Sequence, residues 1–175
     1  MKRVMIVGGP GSGKSTLARK LGDLTGLPVF HMDHIHWHAD WVERDPAAKS
    51  AMTQDIHRRD KWIFEGGHSR TYAQRVQRAD TFIWLDVPVA LRLWRVFRRT
   101  IVHYGKSRPD LPDGCIERFD TSSLEFWSFI LRTRHTARAR LSAIYQDPPA
   151  HLKTYHLTSL RSVNRFLDDT KAQRR

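Results

Sequence analysis

The chain has 175 residues, 40% of them hydrophobic and 27% charged, a balance that excludes a disordered protein and predicts one globular domain. Its single cysteine, Cys115, excludes an internal disulfide and a cysteine-based zinc cluster, and no apolar run approaches the ~18 residues of a membrane-spanning helix. Thirty Lys+Arg against 18 Asp+Glu leave a net charge of +12, and 22 of the 30 bases are Arg, which favours an anionic partner and phosphate recognition.

Val4–Val7 is a short unbroken apolar run ending in glycines, and it predicts a central parallel strand buried on both faces. As an apolar run it is too short for a signal sequence, so a cytoplasmic protein with no membrane partner is expected. Leu17, Leu21 and Leu24 have helical spacing, with Gly26 placed to end the helix. Pro28–His31 predicts a second strand, Pro46–Arg59 a polar helix, and Trp62–Phe64 a third strand stopped by Gly66-Gly67. Thr71–Arg78 predicts a short basic helix and Thr81–Leu85 a fourth strand. Pro88 suits the first turn of a helix over Val89 to about Val102.

Tyr104–Asp120 is rich in Gly, Pro and Asp and reads as a loop. Ser122 and Glu125 have capping-box spacing and open a long helix to about Gln146, which Asp147-Pro148-Pro149 ends. Leu152–Leu157 predicts a weak fifth strand, Ser162–Asp169 a last helix, and Lys171–Arg175 a frayed end. Apolar strands alternating with helices predict a three-layer α/β fold with a five-stranded parallel sheet.

Gly8-Gly9-Pro10-Gly11-Ser12-Gly13-Lys14-Ser15 satisfies G-x-x-x-x-G-K-[ST] in full, after a predicted strand and before a predicted helix. Backbone N–H groups around Gly11 to Lys14 can point at a β-phosphate, aided by the positive end of the helix. Lys14 would bridge the β- and γ-phosphates and the Ser15 hydroxyl would ligate Mg²⁺. Residues 8–15 with Thr16 are therefore the expected nucleotide-phosphate-binding stretch. The base-reading signature of a GTPase is not found.

With these residues in view, the chain resembles the small P-loop kinases of the adenylate-kinase-like superfamily. It most resembles the subgroup described as topology-modulation-protein-like, or adenylate kinase and related kinases. The loop carries the resemblance, with Phe30-His31-Met32-Asp33, Trp37, Trp41, Trp62-Ile63-Phe64-Glu65-Gly66, Leu85-Asp86-Val87-Pro88, Arg95, Arg99, Arg108-Pro109-Asp110 and Gly114-Cys115. The resemblance implies a P-loop NTPase fold with a helical lid insertion near 103–120 and an acceptor-binding region near 33–60. It implies ATP and Mg²⁺ as cofactors and a small-molecule phosphate acceptor, a nucleotide or nucleoside leading, in a monomer or homodimer. ATP rather than GTP follows from the resemblance alone.

The resemblance also assigns roles. Asp33, just past the second strand, would hold the acceptor hydroxyl or order the magnesium shell. Glu65 stands where adenylate kinases place an Asp, one methylene longer, and would serve the metal and the acceptor. Gly66 would let the acceptor approach the backbone, and Arg70 would pair with an anionic group on it. Asp86 ends the fourth strand like a Walker B acid, but its Leu-Asp-Val-Pro context points away from magnesium, and it ranks below Asp33 and Glu65.

Arg92, Arg95 and Arg99 recur along one helix, and Arg132, Arg134, Arg138 and Arg140 follow on the next. Arg95 and Arg99 match paired lid arginines, and with Arg134 they are the expected charge-stabilising residues of the transfer. Arg161, after the fifth strand, would stack on the base.

His34, His36 and His38 alternate, so an extended segment would put them on one face, but without a fourth ligand they read as histidines beside aromatic packing. Trp37 and Trp41 either wall the acceptor pocket or pack a mobile lobe. Cys115 reads as a bystander thiol. A second reading, carried by the charge, is an ATP-dependent nucleic-acid-associated regulator, although no known nucleic-acid-binding motif is present.

Overall fold

The computed structural model describes residues 1–108 and 110–173. Five strands, β1 (Arg3–Gly8), β2 (Val29–His31), β3 (Trp62–Glu65), β4 (Thr81–Leu85) and β5 (Lys153–Leu157), form one sheet of order β2-β3-β1-β4-β5 in which every neighbouring pair is parallel. Seven α-helices connect and follow them: α1 (Lys14–Thr25), α2 (Met32–His36), α3 (Pro46–Arg58), α4 (Tyr72–Arg78), α5 (Val89–Val102), α6 (Thr121–Gln146) and α7 (Leu160–Ala172).

Why the strands are apolar throughout is visible in the two faces of β1. Val4 and Ile6 point to one side, where Ile63, Ile83 and Leu85 of the neighbouring strands meet Leu17, Ala18 and Leu21 of α1 and Phe166 of α7. Met5 and Val7 point to the other, where Trp62, Phe64, Phe82 and Trp84 meet Met32 and Ile35 of α2, Ile56 of α3 and Leu141 of α6. A parallel sheet covered on both sides has no polar face to offer, so alternation disappears from the sequence. Each fully buried aliphatic or aromatic side chain contributes about 1.5–3 kcal/mol. All strand C-termini then open on one edge, where β1 hands over to α1.

Three local differences from the sequence reading have physical causes. Residues 32–36 are helical, because Met32 and Ile35 lie one turn apart and bury together on the sheet; the extended row of His34, His36 and His38 is therefore broken. The last helix begins at Leu160 rather than Ser162, since Ser159 is its cap and Ser162 closes a reciprocal capping box. It continues to Ala172, so Lys171 is helical rather than frayed. At the start of α6, the Asp120 carboxylate accepts from the Ser123 N–H at 3.3 Å. The expected cap side chain of Ser122, Pro109 of the resemblance, and Arg174 and Arg175 of the tail lie outside the described residues. The 103–120 stretch between α5 and α6 is looped, joined to itself by a bridge between Tyr104 and Glu117. Among the described residues no helix is long and apolar enough to cross a membrane.

Two buried polar side chains sit in the core beneath β3. Arg75 is completely buried; it donates to the Gly66 carbonyl at 2.9 Å and to the Thr71 hydroxyl at 3.1 Å, with its guanidinium 4.1 Å from the centre of the Phe64 ring. His57 is 5% exposed, packs beside Trp62 and Phe64, and has no partner on either ring nitrogen. Burial, and then the Arg75 and Arg78 charges, lower its pKa to about 4. In the unfolded chain the ring protonates near 6.5, so between about 6.5 and 4 the unfolded state binds a proton that the folded state refuses. Stability is intact above that window and falls as pH drops through it. In thermal melts from pH 8 to pH 4, His57→Leu is expected to lose several degrees less than the parent protein; an identical acid limb in both would refute the assignment.

Candidate active site

The loop between β1 and α1 holds its shape through glycine and through arginines from α5. Gly11 has φ +75°, and a Cβ there would stand 2.4 Å from the backbone oxygen of Arg92. Gly13 has φ 97° and caps α1 with no side-chain hydrogen bond, so the first-turn N–H groups of α1 are left for a ligand. Arg92 Nε donates to the Pro10 carbonyl at 3.0 Å, and Arg95 donates to the Ser12 carbonyl at 3.3 Å. Lys14 Nζ donates to the Gly9 carbonyl at 3.1 Å. The carbonyls of Gly9, Pro10 and Ser12 are thus occupied, the Ser12 N–H is spent on the Gly9 carbonyl at 3.2 Å, and the first-turn amides of α1 have no side-chain cap. The Ser12 hydroxyl, in a residue 1% exposed, is also without a partner.

Glu65 ends β3 and is 2% exposed. Its Oε1 accepts from the Ser15 hydroxyl at 3.0 Å and lies 2.7 Å from His31 Nδ1. Burial pushes the carboxyl pKa up, but the hydrogen bonds from His31 and Ser15 and the Lys14 charge outweigh it, and the net shift is downward. Asp33, in the first turn of α2, goes the other way. The residue is exposed, yet the protein around its carboxyl, followed by repulsion from Glu65, raises its pKa, while Lys14, Arg108 and Arg99 pull against the rise. Burial lowers the Lys14 pKa, with Glu65 and Asp33 opposing. A serine hydroxyl and a carboxylate oxygen are the hard donors magnesium takes, and a cradle of free amides suits a polyphosphate. The residues present therefore fit both groups.

A chain of ion pairs lies on the α5 side. Arg99 Nε is 3.6 Å and Arg108 Nε 2.7 Å from Glu117 Oε1. Arg108 also meets Asp110 at 3.1 Å, and Arg19 of α1 reaches Asp110 at 3.3 Å. The 103–120 loop is thereby tied to α1 and α5, and it is stitched to residues 38–41 as well. Trp41 Nε1 donates to the Ile116 carbonyl at 2.9 Å, the Asp40 N–H donates to the Gly114 carbonyl at 3.3 Å, and Cys115 Sγ donates to the His38 carbonyl at 3.1 Å. Asp40 and Trp41 have φ 57° and 59°, left-handed values that cost non-glycine residues about 1–3 kcal/mol and that the surrounding contacts must hold. A cavity of about 380 Å³ lies between α2 and this loop, lined by His34, Ser107, Arg108, Leu111, Pro112 and Asp113.

The sequence candidates separate accordingly. Residues 8–15 form the loop, and Lys14, Ser15, Asp33 and Glu65 meet at its mouth. Thr16 follows them, exposed, on α1. Arg95 reaches the loop, whereas Arg99 is engaged by Glu117. Gly66, at φ +118°, packs against Met32 so closely that a Cβ would stand 2.5 Å from that side chain, and Arg70 is exposed nearby in the short turn at 69–71. Arg134 is exposed on α6 and donates to the Leu131 carbonyl of its own helix. Arg161 is exposed in the first turn of α7. Asp86 is held by Arg138 at 3.0 Å and His156 at 3.0 Å.

Four residues were not singled out as site residues. Arg92 shared the spacing of Arg95 and Arg99, which was the available signal. His31 preceded Asp33 by two residues. Arg108 stood in a segment that carried the resemblance but was given no role, and nothing local announced Glu117, which Arg108 of its own loop and Arg99 of α5 meet only after the loop folds back.

No family profile matches the chain, and no curated protein matches it in sequence. Solved structures do resemble it. A shikimate kinase from Bacteroides thetaiotaomicron is 16% identical with a TM-score of 0.59, covering 98% of this chain and 97% of that one. A shikimate kinase from Acinetobacter baumannii, solved in complex with shikimate, is 17% identical with a TM-score of 0.56, covering 99% of this chain and 95% of that one. The chain has the P-loop fold of these kinases, with its five-stranded parallel sheet.

The loop geometry makes two glycines unequal. Gly11→Ala combines a left-handed φ with a backbone clash and is expected to lower stability by about 1–3 kcal/mol and to weaken nucleotide binding. Gly9→Ala meets only the movable tip of Arg92, 2.1 Å from the new Cβ, and is expected to be milder in both. Thermal melts and nucleotide titration of the two variants check the order; Gly9→Ala proving the worse would contradict it.

Proposed function

We propose that the protein is an ATP- and Mg²⁺-dependent kinase that moves the γ-phosphate of ATP to a hydroxyl of a small acceptor, with nucleotides and nucleosides among the acceptors to be tried first. The observation that carries the reading is the uncapped phosphate loop with its Ser15 hydroxyl on Glu65 at 3.0 Å, and the opposite pKa directions of Glu65 and Asp33 support it. Glu65 is held ionised by Ser15, His31 and Lys14, while Asp33 is pushed toward the neutral form. Two acids driven apart in this way are suited to different tasks. Glu65 with Ser15 would hold the metal, and Asp33 would receive the proton of the acceptor hydroxyl.

The remaining residues would bind, orient and exclude water. The amides of Gly11, Gly13 and Lys14 and the Lys14 ammonium would seat the phosphates. Arg92 and Arg95 keep the loop in shape by taking its carbonyls. Arg99 and Arg108 would place positive charge over the transferring group, and the 103–120 loop would act as a lid against water. Magnesium, when bound, neutralises charge on the β- and γ-phosphate oxygens. The acceptor would enter through residues 33–60. The likeness in fold to two shikimate kinases supports a small hydroxylated acceptor. The narrower topology-modulation subgroup rests on the sequence segments alone.

A second reading, nucleic-acid association, draws support from Arg132, Arg134, Arg138 and Arg140, all exposed along α6 of a chain carrying +12. It requires DNA affinity that persists near physiological ionic strength and falls steeply with added salt.

Incubation with ATP and Mg²⁺ across nucleotides, nucleosides and small hydroxyl compounds is expected to yield a phosphorylated acceptor, and no transfer to any of them would sink the kinase reading. Lys14→Ala should abolish nucleotide binding. Asp33→Asn should lower kcat by roughly 10²–10⁴-fold with ATP binding little changed.

A further inference from the structure

A second cluster of charge lies beside Asp33, and nothing in the phosphate-transfer scheme above uses it. Lys49 of α3 is 4% exposed, an unusual place for an ammonium. Its Nζ meets the carboxylate of Glu43, and His36 Nε2 stands 3.8 Å from the same oxygen. Glu43 is not a core residue: its side chain is 57% exposed, and its backbone bridges Trp37 in the lobe that follows α2. Arg75 lies fully buried nearby with its Nε unpartnered, and Arg70 is exposed at the same side.

The two histidines of the region report its sign. Burial lowers the His36 pKa, and Lys49 lowers it further against Glu43 and Asp33. His68 is lowered by burial and then by Arg75, His36, Lys49 and Arg70. Asp33 and His36 are carried by the same short helix α2, and His36 Nε2 stands 3.8 Å from the Glu43 carboxylate that Lys49 meets, so the cluster and Asp33 are joined through one helix.

A buried ammonium is strongly unfavourable unless an anion faces it. Here that anion is a half-exposed side chain on a short lobe rather than a residue fixed in the core. A neutral molecule that moved Glu43 aside would leave Lys49 buried and alone, whereas an anion would replace what it displaced.

We infer that Lys49 receives an anionic group of the acceptor, a carboxylate or phosphate, and that Glu43 is the resident counter-ion which this group displaces. Asp33 and Lys49 would then read the two ends of one molecule: a hydroxyl at the reacting end and an anion at the other. The word acceptor rests on the kinase reading; the anion site itself does not.

The test uses the full chain saturated with a non-hydrolysable ATP analogue and Mg²⁺, so that the phosphate loop is filled. Inorganic phosphate, and acetate in a parallel series, are titrated while the ring resonances of His36 and His68 are followed. Saturable shifts are expected in the parent protein. Glu43→Gln removes the competitor and is expected to tighten phosphate about tenfold, the size of one charge-assisted contact. Lys49→Met should abolish the response and Lys49→Arg should keep it, with melting curves confirming that each variant is folded.

If Glu43 were only a structural partner, Glu43→Gln would lower the melting temperature and leave phosphate affinity unchanged or weaker, and that outcome overturns the inference. So does a Glu43→Gln response that persists after Lys49→Met is added. An acceptor screen separates the two levels. Transfer to neutral acceptors alone would refute the anion site and leave the kinase. Ring shifts with the expected variant pattern but no transfer to any acceptor would refute the kinase and leave the anion site.

Discussion

The first turn of α1 begins without a side-chain cap, and the site is arranged around that vacancy. Gly13 takes a left-handed conformation and contributes no oxygen to the amides that follow it. Those amides face a space that protein groups leave to them. The nearest side chains, Arg92, Arg95 and Lys14, spend their hydrogen bonds on loop carbonyls instead. An arrangement that pairs the Gly9, Pro10 and Ser12 carbonyls and leaves the first turn of α1 uncapped is suited to an anion. The sheet order serves it: β1 lies between β3 and β4, so Glu65 and the start of α5 flank the loop from either side.

Most of the fold was legible because it rests on local pattern. Strand β4 and helix α5 fall where the apolar run and the Pro88 signal put them, and the phosphate loop is a contiguous motif. The misjudged start of the last helix has one cause: capping. Ser159 caps its helix through Ser162, and a reading that starts helices at the first periodic residue enters too late. The short helix at 32–36 was hidden because its two anchoring residues, Met32 and Ile35, are fewer than any periodicity needs.

The site divides along the same line. Lys14, Ser15 and the glycines were readable because their neighbours in space are neighbours in sequence. Glu65 was readable as a strand-end acid, but not its contact with His31, 34 residues away. Arg99 and Arg108 gather on Glu117 only because a loop folds back between two helices. Net charge was visible from composition, yet its distribution was not. Lys49 and Arg75 are buried cations, and only three-dimensional packing distinguishes them from the solvated arginines of α6.

The stitching between residues 38–41 and the 103–120 loop has a mechanical consequence. Three hydrogen bonds, from Trp41, Asp40 and Cys115, join a segment that follows β2 to one that follows α5, and the first segment is strained at two adjacent residues. Two flaps joined in this way have one hinge coordinate rather than two. Displacement of either segment is therefore resisted by its bonds to the other, and the left-handed Asp40–Trp41 pair is held in place by the same contacts.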